Sequence, residues 1–396
     1  MTAASLPRRQ ALRAAAVAAL SYSRIAGAND RIQLGVAGCG GRGIYVMKRF
    51  QAEPGVEVAA VCDVYGERVD KAQQAAPGAK GFSDHRALLG HKPVDAVLVG
   101  TPDHWHKDIT IDALNAGKDV YVEKPLTLRM DEGPEIVKAA RMNNRICQVG
   151  MQQRSGPQYI RARDEILRPG KLGKVTLVRT WWPGGPARPL RPPVVAQPSN
   201  LDWARYLGPV RWRDWNPAQY FNYRAFLDFG GGKITDLFTH WVDVVHMLMG
   251  QDDPVSAAAA GGIYHYKDGR TAPDTIHLLL EYRGEFTVTF ESPALGNLPE
   301  YHVEFCGTEG RLWINRSKYE WRTNERGAPP VVVRQPTEIT DDHVRNFLDC
   351  CRSRKLPNGD VYLGHRSAQA SHLGVLAYAQ KRRIRFDPDR EAVLPL

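Results

Sequence analysis

A glycine-rich turn between two regular elements constrains this chain more than any other feature. Gly38-Cys39-Gly40-Gly41-Arg42-Gly43 follows a short apolar run at 32–37 and opens a stretch of helical periodicity at 44–52. In a G-x-G-x-x-G turn at such a junction the first glycine makes the tight bend and the second lets backbone approach a pyrophosphate. The third packs helix against sheet. Unpaired N–H groups at the helix N-terminus then face the anion. A second apolar run at 56–62 ends on Asp63, twenty residues past Gly43. A carboxylate there accepts hydrogen bonds from ribose hydroxyls and repels a 2′-phosphate, which favours NAD over NADP. Arg42, a guanidinium beside the turn, keeps NADP open.

The turn sits in a regular alternation. Val-rich runs at 32–37, 56–62, 94–100, 120–122 and 146–149 read as buried strands, with helical periodicity at 44–52, 66–75, 107–116 and 134–143 between them. That pattern predicts an α/β domain over 29–150 with a doubly wound parallel sheet. From about residue 151 the texture changes. An alternating stretch at 172–182 precedes a Pro/Trp/Arg-rich segment at 183–229 with little periodicity, which in a compact domain is more often functional than idle. A helix follows from Lys233, then successive strands at 276–282, 286–290, 303–305 and 312–315, with a tight turn at Arg283-Gly284 and terminal helices at 342–352 and 364–381. Residues 151–396 therefore read as an α+β domain with an open, mostly antiparallel sheet.

The first 28 residues stand apart. Arg8-Arg9, the apolar run 14–20 and Ala26-Gly27-Ala28 occur in the order of a cleavable export signal, and the paired arginines before a weakly apolar stretch resemble a twin-arginine (Tat) signal. This predicts a periplasmic or otherwise exported protein, cytoplasmic only if the signal is not used. Of the net charge of +10, four charges lie in this segment, and the remainder is scattered. No basic stripe of the kind nucleic-acid binding needs is present, and no later run is long and apolar enough to span a membrane. The six cysteines form no C-x-x-C pair and read as free thiols.

Chemistry-bearing residues cluster at strand ends. The run at 94–100 leads into Thr101-Pro102-Asp103-His104-Trp105-His106, and the run at 120–122 into Glu123-Lys124-Pro125. In open α/β sheets ligands gather beyond the carboxyl ends of strands, so both motifs should face one crevice. An ammonium there can stabilise a developing alkoxide. On the helix after Gly230-Gly231-Gly232, Leu237, Trp241, Val244, Val245 and Leu248 form an apolar stripe. Asp236, His240 and Asp243, at i, i+4 and i+7, form a polar edge beside it. His240, titrating near neutrality, is the candidate general base. No ligand pattern surrounds the histidines, so no metal is expected.

Taken together these motifs resemble the glucose–fructose oxidoreductase / inositol dehydrogenase (Gfo/Idh/MocA) family, over nearly all of the chain after the signal. The resemblance implies a hydroxyl oxidoreductase acting on a sugar, glycoside or cyclitol, with Lys124, Asp236 and His240 catalytic. It implies that Thr101, Pro102, His104, Trp105, His106, Glu123 and Lys124 lie along the cofactor with the glycine turn, and that the Lys124–Pro125 bond is cis. Arg154, Trp181, Trp182, Tyr220, Tyr223 and Arg224 are candidates for gripping the sugar, aromatics on its C–H faces and arginines on its hydroxyls. Asp236 and His240 would share that task. Relatives assemble as dimers or tetramers, so a homo-oligomer is expected. Export implies a tightly bound cofactor regenerated in each cycle. Two alternatives remain at this point: an NAD-dependent glycoside hydrolase working by transient oxidation and elimination, and a non-catalytic sugar-binding protein.

Overall fold

The computed structural model describes residues 31–184, 189–190, 196–294, 300–334 and 338–395. The export-signal expectation for 1–28 lies outside the described residues. Six parallel strands, β1 (Ile32–Ala37), β2 (Val56–Cys62), β3 (Lys80–Phe82), β4 (Ala96–Val99), β5 (Asp119–Val122) and β6 (Cys147–Val149), form the first sheet in the order 3-2-1-4-5-6. Every residue of β4 and β5 is buried. Helices cover both faces of such a sheet, which is why these strands read as continuous apolar runs rather than alternating ones. The order reverses between β1 and β4, whose ends carry the glycine turn and Thr101, and such a switch point opens a crevice.

The second sheet has ten strands: β7 (Val175–Trp181), β8 (Pro254–Gly262), β9 (Thr275–Tyr282), β10 (Phe286–Ser292), β11 (His302–Gly307), β12 (Gly310–Ile314), β13 (Lys318–Thr323), β14 (Val331–Arg334), β15 (Ile384–Asp387) and β16 (Ala392–Val393). All neighbours are antiparallel except β7 and β10. Along β10 burial alternates strictly, with Phe286, Val288 and Phe290 turned inward. That face packs on the helix Thr239–Met249, where Trp241, Val244 and Val245 are fully buried. A period-2 strand has met a period-3.6 stripe, each hiding its apolar face in the other.

The two units share more than a boundary. The terminal helices Ile339–Ser353 and Val361–Gln380, expected with the second unit, also pack on the first: Phe347 and Leu348 join its core with Phe50 and Tyr121, and Val361 and Ala368 join Val149 and Ile136. The irregular segment contains the short helices Trp203–Leu207 and Pro217–Phe221 and builds a small core of its own around Trp203, Tyr206, Tyr220 and Phe229. This strap docks beyond the carboxyl end of β2. Gly66 N–H donates to Asn200 O at 2.9 Å, Asp202 N–H donates to Val64 O at 2.9 Å, and Tyr65 bridges Leu201. No described helix is long and apolar enough to cross a membrane, and the six cysteines carry no disulfide.

Three buried histidines tie distant parts of the chain together. His104 Nε2 meets Tyr206 O at 2.7 Å, His343 Nε2 meets Val149 O at 2.9 Å, and His372 Nε2 meets Thr127 O at 3.1 Å. Burial pushes each imidazole down to about 4, outweighing the backbone carbonyl that favours the charged form. The unfolded chain takes up these protons below about pH 6.5 while the folded chain does not, so stability is fully present above that pH and falls as pH drops towards about 4. Melting between pH 7 and pH 5 should show a fall in Tm of roughly 5 °C or more. A flat profile over that window would show that these rings are not held neutral.

Candidate active site

The helix Gly41–Gln51 starts without a side-chain cap and without an acid in its first turn, leaving its first N–H groups available to an anion. The glycines are required by close approach. A Cβ on Gly43 would lie 1.9 Å from Gly38 O, and Gly38 has φ +92° with a Cβ position 2.6 Å from Gly100 C. Asp63 holds the turn from the end of β2: its Oδ2 accepts from Cys39 N–H at 2.8 Å and its Oδ1 from Tyr65 N–H at 3.0 Å. Burial lifts its carboxyl above the ordinary range, while Arg68 and these N–H groups pull the other way.

A cavity runs from here along the ends of β1 and β4. Its floor is Gly38, Gly40, Gly41, Arg42, Asp63, Thr101 and Pro102, and the strap supplies the facing wall with Tyr206, Tyr220, Asn222 and Tyr223. Thr101 Oγ1 and Tyr220 Oη are buried here without protein partners. Buried hydroxyls are costly unless something bonds them. A glycine cradle, a bare helix N-terminus, a carboxylate at ribose distance in sequence and orphaned hydroxyls together fit a dinucleotide.

A second cavity adjoins the first, sharing Arg42, Gly100, Thr101, Tyr223 and Arg224 with it. It holds Lys124, Asp236, His240, Glu123 and Trp182. Lys124 Nζ donates to Asp236 Oδ1 at 2.8 Å and to Asp236 O at 2.6 Å, and Arg224 Nε donates to the same carboxylate oxygen at 3.0 Å. Burial opposes ionisation of Asp236, but Lys124 and Arg224 outweigh it and hold the carboxyl well below the usual range. Burial also pushes Asp103 up to about 7, although Arg224 and Lys124 oppose it. His240 stacks on Trp182, ring centroids 5.6 Å apart, with its Nδ1 buried and unpartnered. Burial, then the charges of Lys124, Arg316 and Arg42, drive its basicity well down, so the ring is neutral near pH 7.

Several expected residues stand elsewhere. Asp243 does not share the edge of Asp236 and His240. It is wholly buried, accepting from Arg154 Nε at 2.8 Å and Ser367 Oγ at 2.9 Å. Arg154, expected in the sugar grip, is therefore spent on a buried ion pair and lies outside the cavity lining. Tyr220 is on the nucleotide side, under the Arg68 guanidinium at 4.7 Å. His104 and Trp105 both bond Tyr206 O and so anchor the strap, although Trp105 also lines the first cavity. His106 lies between Pro125 O at 2.6 Å and Thr101 O at 2.9 Å, and a neutral ring can donate to only one of them. The Lys124–Pro125 bond is cis.

The arginine beside Asp63 is Arg68, 3.9 Å away, whereas Arg42 Nε pairs with Glu123 Oε1 at 2.9 Å. Arg68 follows Asp63 by five residues on the next helix, and that spacing was the available signal. Tyr301, Arg316 and Gln152 of the second cavity carried no signal in the local sequence.

Comparison with known proteins agrees with this geometry. Residues 32–151 match a model described as an oxidoreductase family, NAD-binding Rossmann fold, and residues 206–313 match the GFO/IDH/MocA C-terminal domain. Scyllo-inositol 2-dehydrogenase (NAD(+)) of Bacillus subtilis is 25% identical, covering 83% of this chain and 88% of that protein. A glycosyl hydrolase family 109 protein of Saccharopolyspora erythraea is 34% identical over only 30% of this chain and 28% of its own length. Levoglucosan dehydrogenase, solved with NADH, superposes with a TM-score of 0.73 at 17% identity, covering 90% of this chain and 99% of that one. The turn, the paired cavities and two family models that together span more than half of the sequence place the chain in the GFO/IDH/MocA family of NAD-binding oxidoreductases.

Proposed function

We propose that the chain moves a hydride between a sugar, glycoside or cyclitol hydroxyl and NAD held in the first cavity. One observation carries the reading: Lys124 spends two of its three N–H donors on Asp236 and lines the same cavity as the unpartnered, neutral His240. NAD, when bound, supplies the hydride acceptor. The third N–H of Lys124 is left for the substrate oxygen, where an ammonium favours the alkoxide. His240 is unprotonated and receives the hydroxyl proton. Its depressed basicity leaves most of the electrostatic stabilisation to Lys124. Asp236 fixes the ammonium and Arg224 keeps Asp236 charged. Trp182, stacked between neighbours that include His240 and Tyr301, holds the imidazole ring in place. Asp63 at the ribose end supports NAD over NADP.

Within this reading Arg8-Arg9 and the segment they open export the folded enzyme, the cofactor stays bound through successive cycles, and the protein is a homodimer or homotetramer. The strap walling the nucleotide cavity supports retention.

The test is direct. Denaturing the purified protein should release about one NAD(H) per chain, as measured by chromatography. Incubating native enzyme with glucosides and inositols should give a keto product with matching formation of reduced nicotinamide. Free reducing sugar with no net change in cofactor would instead support the hydrolase. Binding of sugar with neither product would leave only a binding protein.

A further inference from the structure

The second cavity contains a cation that the proposed chemistry does not use. Arg316, just beyond β12, lines it beside His240, Trp182 and Tyr301. Its guanidinium lies over the Trp182 ring at 5.3 Å, and its Nε is buried with no partner. Among the described residues Arg316 makes no ion pair, while the other cations at this site are all matched: Arg42 to Glu123, and Lys124 and Arg224 to Asp236. Trp182 also stacks on His240, so this guanidinium and the imidazole touch the same indole. The depressed basicity of His240, to which Arg316 contributes after burial and Lys124, agrees with an excess of positive charge there.

A half-buried guanidinium with an orphaned N–H is costly unless an anion completes it, and its planar fork matches an oxyanion. We infer that Arg316 binds an oxyanion substituent of the sugar, so the substrate is an acidic sugar or glycoside, carrying a carboxylate or a sulfate ester. The inference rests on the dehydrogenase reading of the same cavity and adds the class of substrate. Stacking on Trp182 sets the plane of the fork and leaves its edge for the anion. The anion and the reacting hydroxyl then belong to one small molecule that spans Arg316 and His240 within this cavity.

The experiment mixes NAD+-loaded enzyme with methyl glucopyranoside, methyl glucuronopyranoside or a sulfated methyl glucoside and reads, in a single turnover with the bound NAD+ as oxidant, the second-order rate constant for keto-sugar formation. Wild-type enzyme should favour one of the acidic probes over the neutral one by roughly 100-fold. Arg316→Gln should bring that ratio close to one, and Arg316→Lys should restore part of it. Circular dichroism and the NAD(H) released on denaturation confirm that each variant is folded, and if Arg316→Gln fails to fold, the wild-type ratio and Arg316→Lys decide. Preference for the glucuronide makes the anion a carboxylate, and preference for the sulfated probe makes it a sulfate ester. A wild-type ratio of one or below, or a ratio unchanged by the substitutions, overturns the role of Arg316 while leaving the dehydrogenase reading standing. No keto product from any probe, nor from the wider glycosides and inositols, overturns that reading itself.

Discussion

Replacing Lys124 with methionine is expected to lower kcat/KM by a hundredfold to a thousandfold, the usual cost of removing one preorganised donor from a developing oxyanion. Methionine keeps the length and apolar stem and removes only the ammonium. Asp236 is not orphaned, because Arg224 Nε remains bonded to it at 3.0 Å. Folding should therefore survive, and the NAD(H) released per chain on denaturation should match wild type. His240→Gln should cost less, about tenfold to a hundredfold, since a ring of such depressed basicity contributes less driving force to proton transfer. Steady-state kinetics on the three proteins checks both the size and the order of the effects. A Lys124→Met enzyme retaining more than a tenth of wild-type kcat/KM would show that the ammonium is not the electrostatic centre of the reaction.

The second large effect concerns binding. Gly43→Ala places a methyl 1.9 Å from a backbone carbonyl oxygen that cannot swing aside, so the turn must open. NAD affinity should fall by at least about 100-fold, and overpacking should cost roughly 1–3 kcal/mol of stability. Gly41→Ala is the matched control, because a Cβ there meets nothing within 4 Å and the residue begins a helix. Its denaturation midpoint should be unchanged or slightly raised. Fluorescence titration of the cofactor-stripped proteins with NAD, together with urea melts, separates the two. Equal behaviour of the two alanines would mean that the close packing of Gly43 on Gly38 does not hold in solution.

What the sequence made legible was local. Strand, glycine turn, helix and acid recur at fixed short spacing, so the nucleotide site could be read from residues 32–63 without the rest of the chain. Lys124 and His240 were readable because each ends or begins a regular element. Long-range pairing was hidden. Nothing near Arg154 indicates that its partner is Asp243, eighty-nine positions away, and this turned an expected sugar contact into a core ion pair. Strand β3 was missed because three residues beginning with an exposed lysine carry no apolar run. The segment 183–229 looked irregular because Trp203, Tyr206, Tyr220 and Phe229 pack on one another, with Tyr206 and Tyr220 also facing the nucleotide cavity, instead of following a helical or strand period. Tyr220, expected in the sugar grip, accordingly lines the nucleotide cavity instead.

That segment also fixes an order of events. The floor of the nucleotide cavity, from Gly38 to Pro102, is complete once the first hundred or so residues have been made, but the wall opposite is built from Tyr206, Tyr220 and Tyr223. Until those residues emerge and seat on Val64 and Gly66, the nucleotide groove is open on one side to any dinucleotide in the surrounding fluid. Once they seat, the Tyr65–Leu201 bridge and the bonds of His104 and Trp105 to Tyr206 O hold the wall against the first unit. A chain that ends before residue 206 would accordingly present the glycine turn with no facing wall.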